Sequence, residues 1–211
     1  SIGRLAGSTG QVFVEGGLLS VANDDLWIGR GGAGELTVSG GTLRAKNLHV
    51  GDSDDGTNTP TGNFTLGGGS VIVSSNLTVG TSLLSTGHVA FVGGSLNITN
   101  ATGSAFLDVR AGDFTMNGGT LKTDSLVITN MDGNFVFNSG TIEAMSLVVS
   151  NGLPFVVGDG VNPATFTLQG GTYVFADGLV ISPNATVAGC GTIIGSVTNN
   201  GTFMRRSELS S

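Results

Sequence analysis

The chain has 211 residues, of which 37 are glycine and only four proline, with 39% hydrophobic side chains, 11% charged side chains and a formal net charge of -7. High glycine without a Gly-X-Y triplet excludes collagen, regularly placed aliphatic residues exclude disorder, and the negative charge disfavours nucleic acid and anionic membranes as partners. The lone Cys190 excludes an internal disulfide framework, and no apolar run is long enough for a membrane-spanning helix, so membrane insertion is not expected.

The opening SIGRLAGSTGQV (1–12) returns as WIGRGGAGEL (27–36), pairing Ile2 with Ile28, Gly3 with Gly29 and Arg4 with Arg30. A longer phrase then recurs: ELTVSGGTLRAKNLHVG from residue 35, NFTLGGGSVIVSSNLTVG from 63 and DFTMNGGTLKTDSLVIT from 113. Aligned on the second glycine of each pair or its equivalent, the anchors are Gly17, Gly41, Gly69, Gly94, Gly119, Gly140, Gly171 and Gly191, with spacings of 24, 28, 25, 25, 21, 31 and 20. A period near 25 is that of a stacked repeat and too short for a four-stranded propeller blade of about 40 residues.

Each period predicts three short strands. The first has apolar residues five and three places before the anchor, from Val12, Leu36, Phe64, Val89, Phe114, Phe135 and Phe166 to Val14, Val38, Leu66, Phe91, Met116, Phe137 and Leu168. Between them stand mostly small or β-branched residues (Phe13, Thr37, Thr65, Ala90, Thr115, Val136, Thr167), the in-out-in alternation of a strand. The second strand places Leu19, Leu43, Val71, Leu96, Leu121, Ile142, Tyr173 and Ile193 two after the anchor. The third reads apolar-x-apolar, as in Leu26 with Ile28, Leu48 with Val50, Leu126 with Ile128 and Leu179 with Ile181. One such coil buries too little to fold alone, but stacked coils pair their backbones and share one apolar column. The expected fold is all-β: a parallel β-solenoid of about eight coils in a single domain over 1–203, with a polar tail at 204–211. Glycine pairs supply the corners. Excursions at 51–62 and 150–164 are expected to lie outside the stack, where function sits on such proteins.

In chain order, the candidate chemical groups begin with His49, which like His88 has no metal-ligand partner at suitable spacing. Asp52, Asp54 and Asp55 in DSDDG bring three carboxylates into a glycine-containing loop that could hold calcium, although the other ligands of a full calcium loop are missing and a solvated acidic loop is the favoured reading. No cofactor is expected beyond this calcium candidate. Asp108 with Asp113, and Asp124 with Asp132, lie near adjoining turns and Glu143 stands alone; none is flanked by the basic or aromatic clusters that bind sugar acids, so an enzyme is not expected. The threonines at 37, 65, 115 and 167 form a poor ice-binding ladder because Ala90 and Val136 interrupt it. Cys190 fits a small structural position at a corner. Six Asn-x-Ser/Thr sequons (Asn63, Asn76, Asn97, Asn100, Asn184, Asn200) could accept glycans in a suitable host, although in a chain this rich in asparagine and threonine chance accounts for most of them. Phe203 is assigned to the first inward column, after which Arg205 breaks the pattern.

LWIGRGGAGELTVSGGTL (26–43) and ATVAGCGTIIGSVTNNGTF (185–203) resemble repeats of bacterial surface proteins, namely autotransporter-type passenger solenoids and the β-helix repeat proteins associated with PEP-CTERM sorting signals. The resemblance implies a right-handed β-helix, export to the cell exterior or surface, and a structural or adhesive role.

Three functional classes follow as expectations. The first is an extracellular structural rod, part of a surface protein or a filament subunit that self-associates end to end, since solenoid ends present strand edges. The second is an adhesin binding cell-surface glycan through the two excursions. The third and least favoured is a polysaccharide-cleaving enzyme.

Overall fold

Glycine-marked corners and in-out-in triplets build a three-faced β-solenoid. The computed structural model describes residues 1–53, 56–81 and 84–205, and these contain eighteen strands and no helix. In chain order they are β1 (Thr9–Val14), β2 (Leu18–Ile28), β3 (Ala33–Val38), β4 (Thr42–Val50), β5 (Thr61–Leu66), β6 (Ser70–Val73), β7 (Asn76–Val79), β8 (Thr86–Phe91) and β9 (Ser95–Ile98). There follow β10 (Phe106–Val109), β11 (Gly112–Ile128), β12 (Gly133–Val149), β13 (Phe155–Val157), β14 (Ala164–Phe175), β15 (Leu179–Ile181), β16 (Ala185–Ile194), β17 (Val197–Asn199) and β18 (Thr202–Arg205). Every pairing is parallel, and the longer strands bend across a corner to serve two faces.

The first face stacks Val12, Leu36, Phe64, Val89, Phe114 and Phe135 in register. The second stacks Leu19, Leu43, Val71, Leu96, Leu121 and Ile142. The third stacks Leu26, Leu48, Leu77, Leu107, Leu126 and Leu147. Up to Val149 the three expected columns are therefore correct. The winding makes about eight turns and is consistent with a right-handed β-helix.

Beyond Val149 the expected columns shift by one strand. β13 belongs to the first face, with Val157 paired to Phe137 and Phe155 to Leu179, so Phe155–Val157, in the middle of the expected 150–164 excursion, lies inside the stack. Phe166 consequently pairs with Ile142 on the second face, and Tyr173 with Leu147 on the third. Leu179 and Ile181 move from the third face to the first, and Ile193 continues the third. Phe203 pairs with Val187 on the second face instead of the first. The apparent 31-residue period thereby disappears: on the second face, spacing from Ile142 to Phe166 is 24 and from Phe166 to Val187 is 21. β18 extends to Arg205, and residues 206–211 lie outside the described residues.

Aromatic rings bind the shifted levels together. Phe114 and Phe135 stack at 5.0 Å, Phe135 and Phe155 at 5.8 Å, and Phe155 then meets both Phe166 and Phe175 at 5.7 Å. The buried Tyr173 hydroxyl donates to the Ala144 carbonyl at 2.7 Å and accepts from the Gln169 amide at 2.6 Å, so the phenol enters the core without an orphaned polar group. Burial pushes its pKa above the ordinary tyrosine value.

Two glycine files define corners. From first to second face, Gly41, Gly69, Gly94, Gly119 and Gly140 follow one another with positive φ, and a Cβ on Gly69, Gly94, Gly119 or Gly140 would lie within 2.7 Å of the preceding file member's carbonyl oxygen. From third to first face, Gly34, Gly62, Gly87, Gly112 and Gly133 are stacked in register. A separate file follows the first corner: Thr42, Ser70, Ser95, Thr120, Thr141, Thr165, Thr186 and Thr202 place one hydroxyl per level on the outward side of the second face. Thr167 lies on that face as well, apart from Thr37, Thr65 and Thr115.

Candidate functional site

Four outward amide side chains reach neighbours one coil away. Gln11 Nε2 donates to Glu35 at 2.7 Å, Asn47 Nδ2 to Asp25 at 2.6 Å, Asn138 Nδ2 to Asn117 at 2.8 Å and Gln169 Nε2 to Glu143 at 3.0 Å. Parallel in-register stacking places like positions directly above one another, which brings these polar side chains within reach of partners in the next coil.

The calcium candidates are only partly placed. Asp52 sits at the corner after β4, its amide donating to the Gly29 carbonyl at 2.8 Å and its carboxylate accepting from the Thr81 hydroxyl. Asp54 and Asp55 lie outside the described residues. Among the described residues no three His, Cys, Asp or Glu side chains are grouped to share a metal ion.

His49 lies on the outward side of the third face, stacked on Trp27 with centroids 5.6 Å apart and planes inclined by 18°, while Arg30 lies 4.6 Å over the same indole. Its Nε2 is 3.8 Å from Asp25, and its buried Nδ1 has no hydrogen-bond partner among the described residues. Desolvation by burial holds the His49 pKa below its ordinary value; Asp52 and Asp25 oppose this and Arg30 adds to it. Because the folded pKa is depressed, the neutral imidazole contributes stability that is fully present above about pH 6.5 and lost as pH falls through the folded value. The thermal midpoint is expected to fall between pH 7 and pH 5, and to fall less in His49→Phe, which keeps the stack on Trp27 but binds no proton. Equal falls in both proteins would contradict this.

The other carboxylates singled out in the sequence are dispersed. Asp113 contacts His88 Nδ1 at 2.5 Å on the first face. Asp124 is buried at the corner from second to third face, where one oxygen accepts from the Asn100 and Ala105 amides at 3.0 and 3.1 Å. Glu143 lies 3.9 Å from Lys122. Cys190 is half-buried. Asp108 and Asp113, expected near each other, fall on different faces because the corner at 110–112 separates them.

Asp108 and Asp132 instead line one cleft, a pairing not drawn from the sequence. This open hollow of about 660 Å³ at the corner from third to first face is lined by Asp108, Arg110, Thr129, Asn130, Met131 and Asp132. Asp108 points outward from β10, yet its side chain is only 10% exposed and accepts from Arg110 Nε at 2.6 Å. The 129–132 turn is braced: Asn130 Oδ1 accepts from the Asp132 amide at 3.0 Å, and the Asp132 carbonyl accepts from Gly112 at 3.0 Å. No protein-family model, curated protein or solved structure matches the chain. A second hollow, of about 470 Å³, runs along the first face beside β13 and is lined mainly by apolar groups such as Val136, Leu153 and Val156. At its edge the exposed Asp159 carboxylate accepts from the Asn162 amide, the Asn162 side chain and the Val161 amide, which holds its pKa below the ordinary value.

Proposed function

We propose that the chain is an extracellular structural β-solenoid, either a segment of a bacterial surface protein or a subunit that stacks end to end into a filament, with no catalytic role. The observation that carries this reading is the use of the outward polar groups. Gln11, Asn47, Asn138 and Gln169 each reach a partner in an adjacent coil, so these side chains reinforce the stack. The apolar core runs from Ile2 to Val187, with Ile193 packed against it, and each level offers the next the same parallel backbone donors and acceptors. At about 4.8 Å per level such a stack extends by simple addition, whether the next coil is covalent or belongs to a second copy. The resemblance to surface-protein repeats supports the extracellular setting.

Light scattering and negative-stain electron microscopy across a hundredfold range of concentration test the assembly. Rods about 40 Å long at high dilution should give way to end-joined multiples as concentration rises. A single-rod monomer at every concentration would contradict self-assembly.

A further inference from the structure

We propose that the cleft between Asp108 and Asp132 binds a neutral glycan. The inference is independent of whether rods join end to end. Asp108 is a charged side chain nine-tenths removed from solvent on the outward side of a solenoid strand, and one partner, Arg110, holds it in place. The Arg110 side chain remains 47% exposed, so its terminal nitrogens are available beyond the contact that Nε makes. Asn130 spends its oxygen on the Asp132 amide and leaves its side-chain N–H groups for a ligand. Acceptors from two carboxylates and donors from a guanidinium and an amide therefore meet in one hollow whose turn is already braced.

The mixture of groups selects the ligand. Two carboxylates against one guanidinium leave a local negative balance, which repels uronates, sulfates and phosphates. A guanidinium 2.6 Å from the more buried carboxylate disfavours a divalent cation there. A neutral polyol suits both sets, since each hydroxyl donates to a carboxylate and accepts from Arg110 or Asn130. Met131, 84% exposed at the rim, presents a flexible apolar side chain to the C–H face of a sugar ring.

Affinity electrophoresis of the whole chain in gels containing dextran, glucomannan, galactan or polygalacturonate is the test. At least one of the three neutral polymers should retard the protein and polygalacturonate should not. Asp132→Asn and Met131→Ala alter exposed side chains, so each should weaken retardation at least tenfold in apparent Kd with an unchanged unfolding midpoint. Asp113→Asn, outside the cleft, should bind as the parent does. No retardation by any neutral polymer, retardation by polygalacturonate, or full binding by both cleft variants would overturn the proposal.

Discussion

Alanine at Gly51 is expected to destabilise the protein by about 2–5 kcal/mol, the sum of two separable costs. Gly51 adopts φ of 73°, where a Cβ costs roughly 1–2 kcal/mol. That Cβ would also lie 2.3 Å from the Thr86 carbonyl oxygen and 2.8 Å from the Gly87 nitrogen, atoms of the next coil's backbone that no rotamer change can move aside. Relief requires the two levels to separate, at a further cost of about 1–3 kcal/mol. Gly17 isolates the first cost, having φ of 68° but open space around a Cβ; Gly17→Ala should lose only about 1–2 kcal/mol. Gly67 carries neither restriction, and Gly67→Ala should be neutral or stabilising by up to about 1 kcal/mol. Denaturant unfolding of the three variants gives the order directly. Equal losses for Gly51→Ala and Gly17→Ala would show that the coils do not approach as closely as described.

Phe155→Ala is expected to cost about 3–5 kcal/mol, the usual range for removing a fully packed phenylalanine. Phe155 is 3% exposed and touches the rings of Phe135, Phe166 and Phe175. It thereby joins a first-face level to columns of the other two faces, so the loss should also uncouple the levels beyond it and broaden the unfolding transition. Val161→Ala, at a position 76% exposed in the same stretch, should change stability by less than about 0.5 kcal/mol. Similar effects at the two positions would place 155–157 in a surface loop after all.

The contrast between these residues marks where sequence legibility ends. As far as Val149, apolar-x-apolar triplets and glycine pairs specify each level, because a strand buried on one side must alternate and a tight corner excludes a Cβ. The same rules cannot tell one face from another. A solenoid asks for the same triplet on all three faces, and Gly170-Gly171 imitates the earlier anchors while sitting at a different corner, where a Cβ on Gly171 would fall 1.8 Å from the Met145 carbonyl oxygen. The corner from first to second face is instead made after Val149 by GDGVNPA and then SPNA, in which Asn184 takes φ of 62°. Two further files are legible in the sequence: the glycines at 34, 62, 87, 112 and 133, and the Thr or Ser directly after anchors such as Gly41 and Gly69. The cleft was less accessible. Asp108 and Asp132 stand a full coil apart, and only the register of the corners brings them together, whereas Asp113, close in sequence, is turned onto another face.

Amide hydrogen exchange at Phe155 and Gly158 tests the stack of about eight turns most directly. The Phe155 amide donates to the Gly178 carbonyl at 2.9 Å and the Gly158 amide to the Phe137 carbonyl at 2.9 Å, so the segment is tied to the coils on both sides. Both amides should be as strongly protected as those of β12 and β14. Exchange at the rate of an open loop would remove β13 from the stack and return every column after Val149 to doubt.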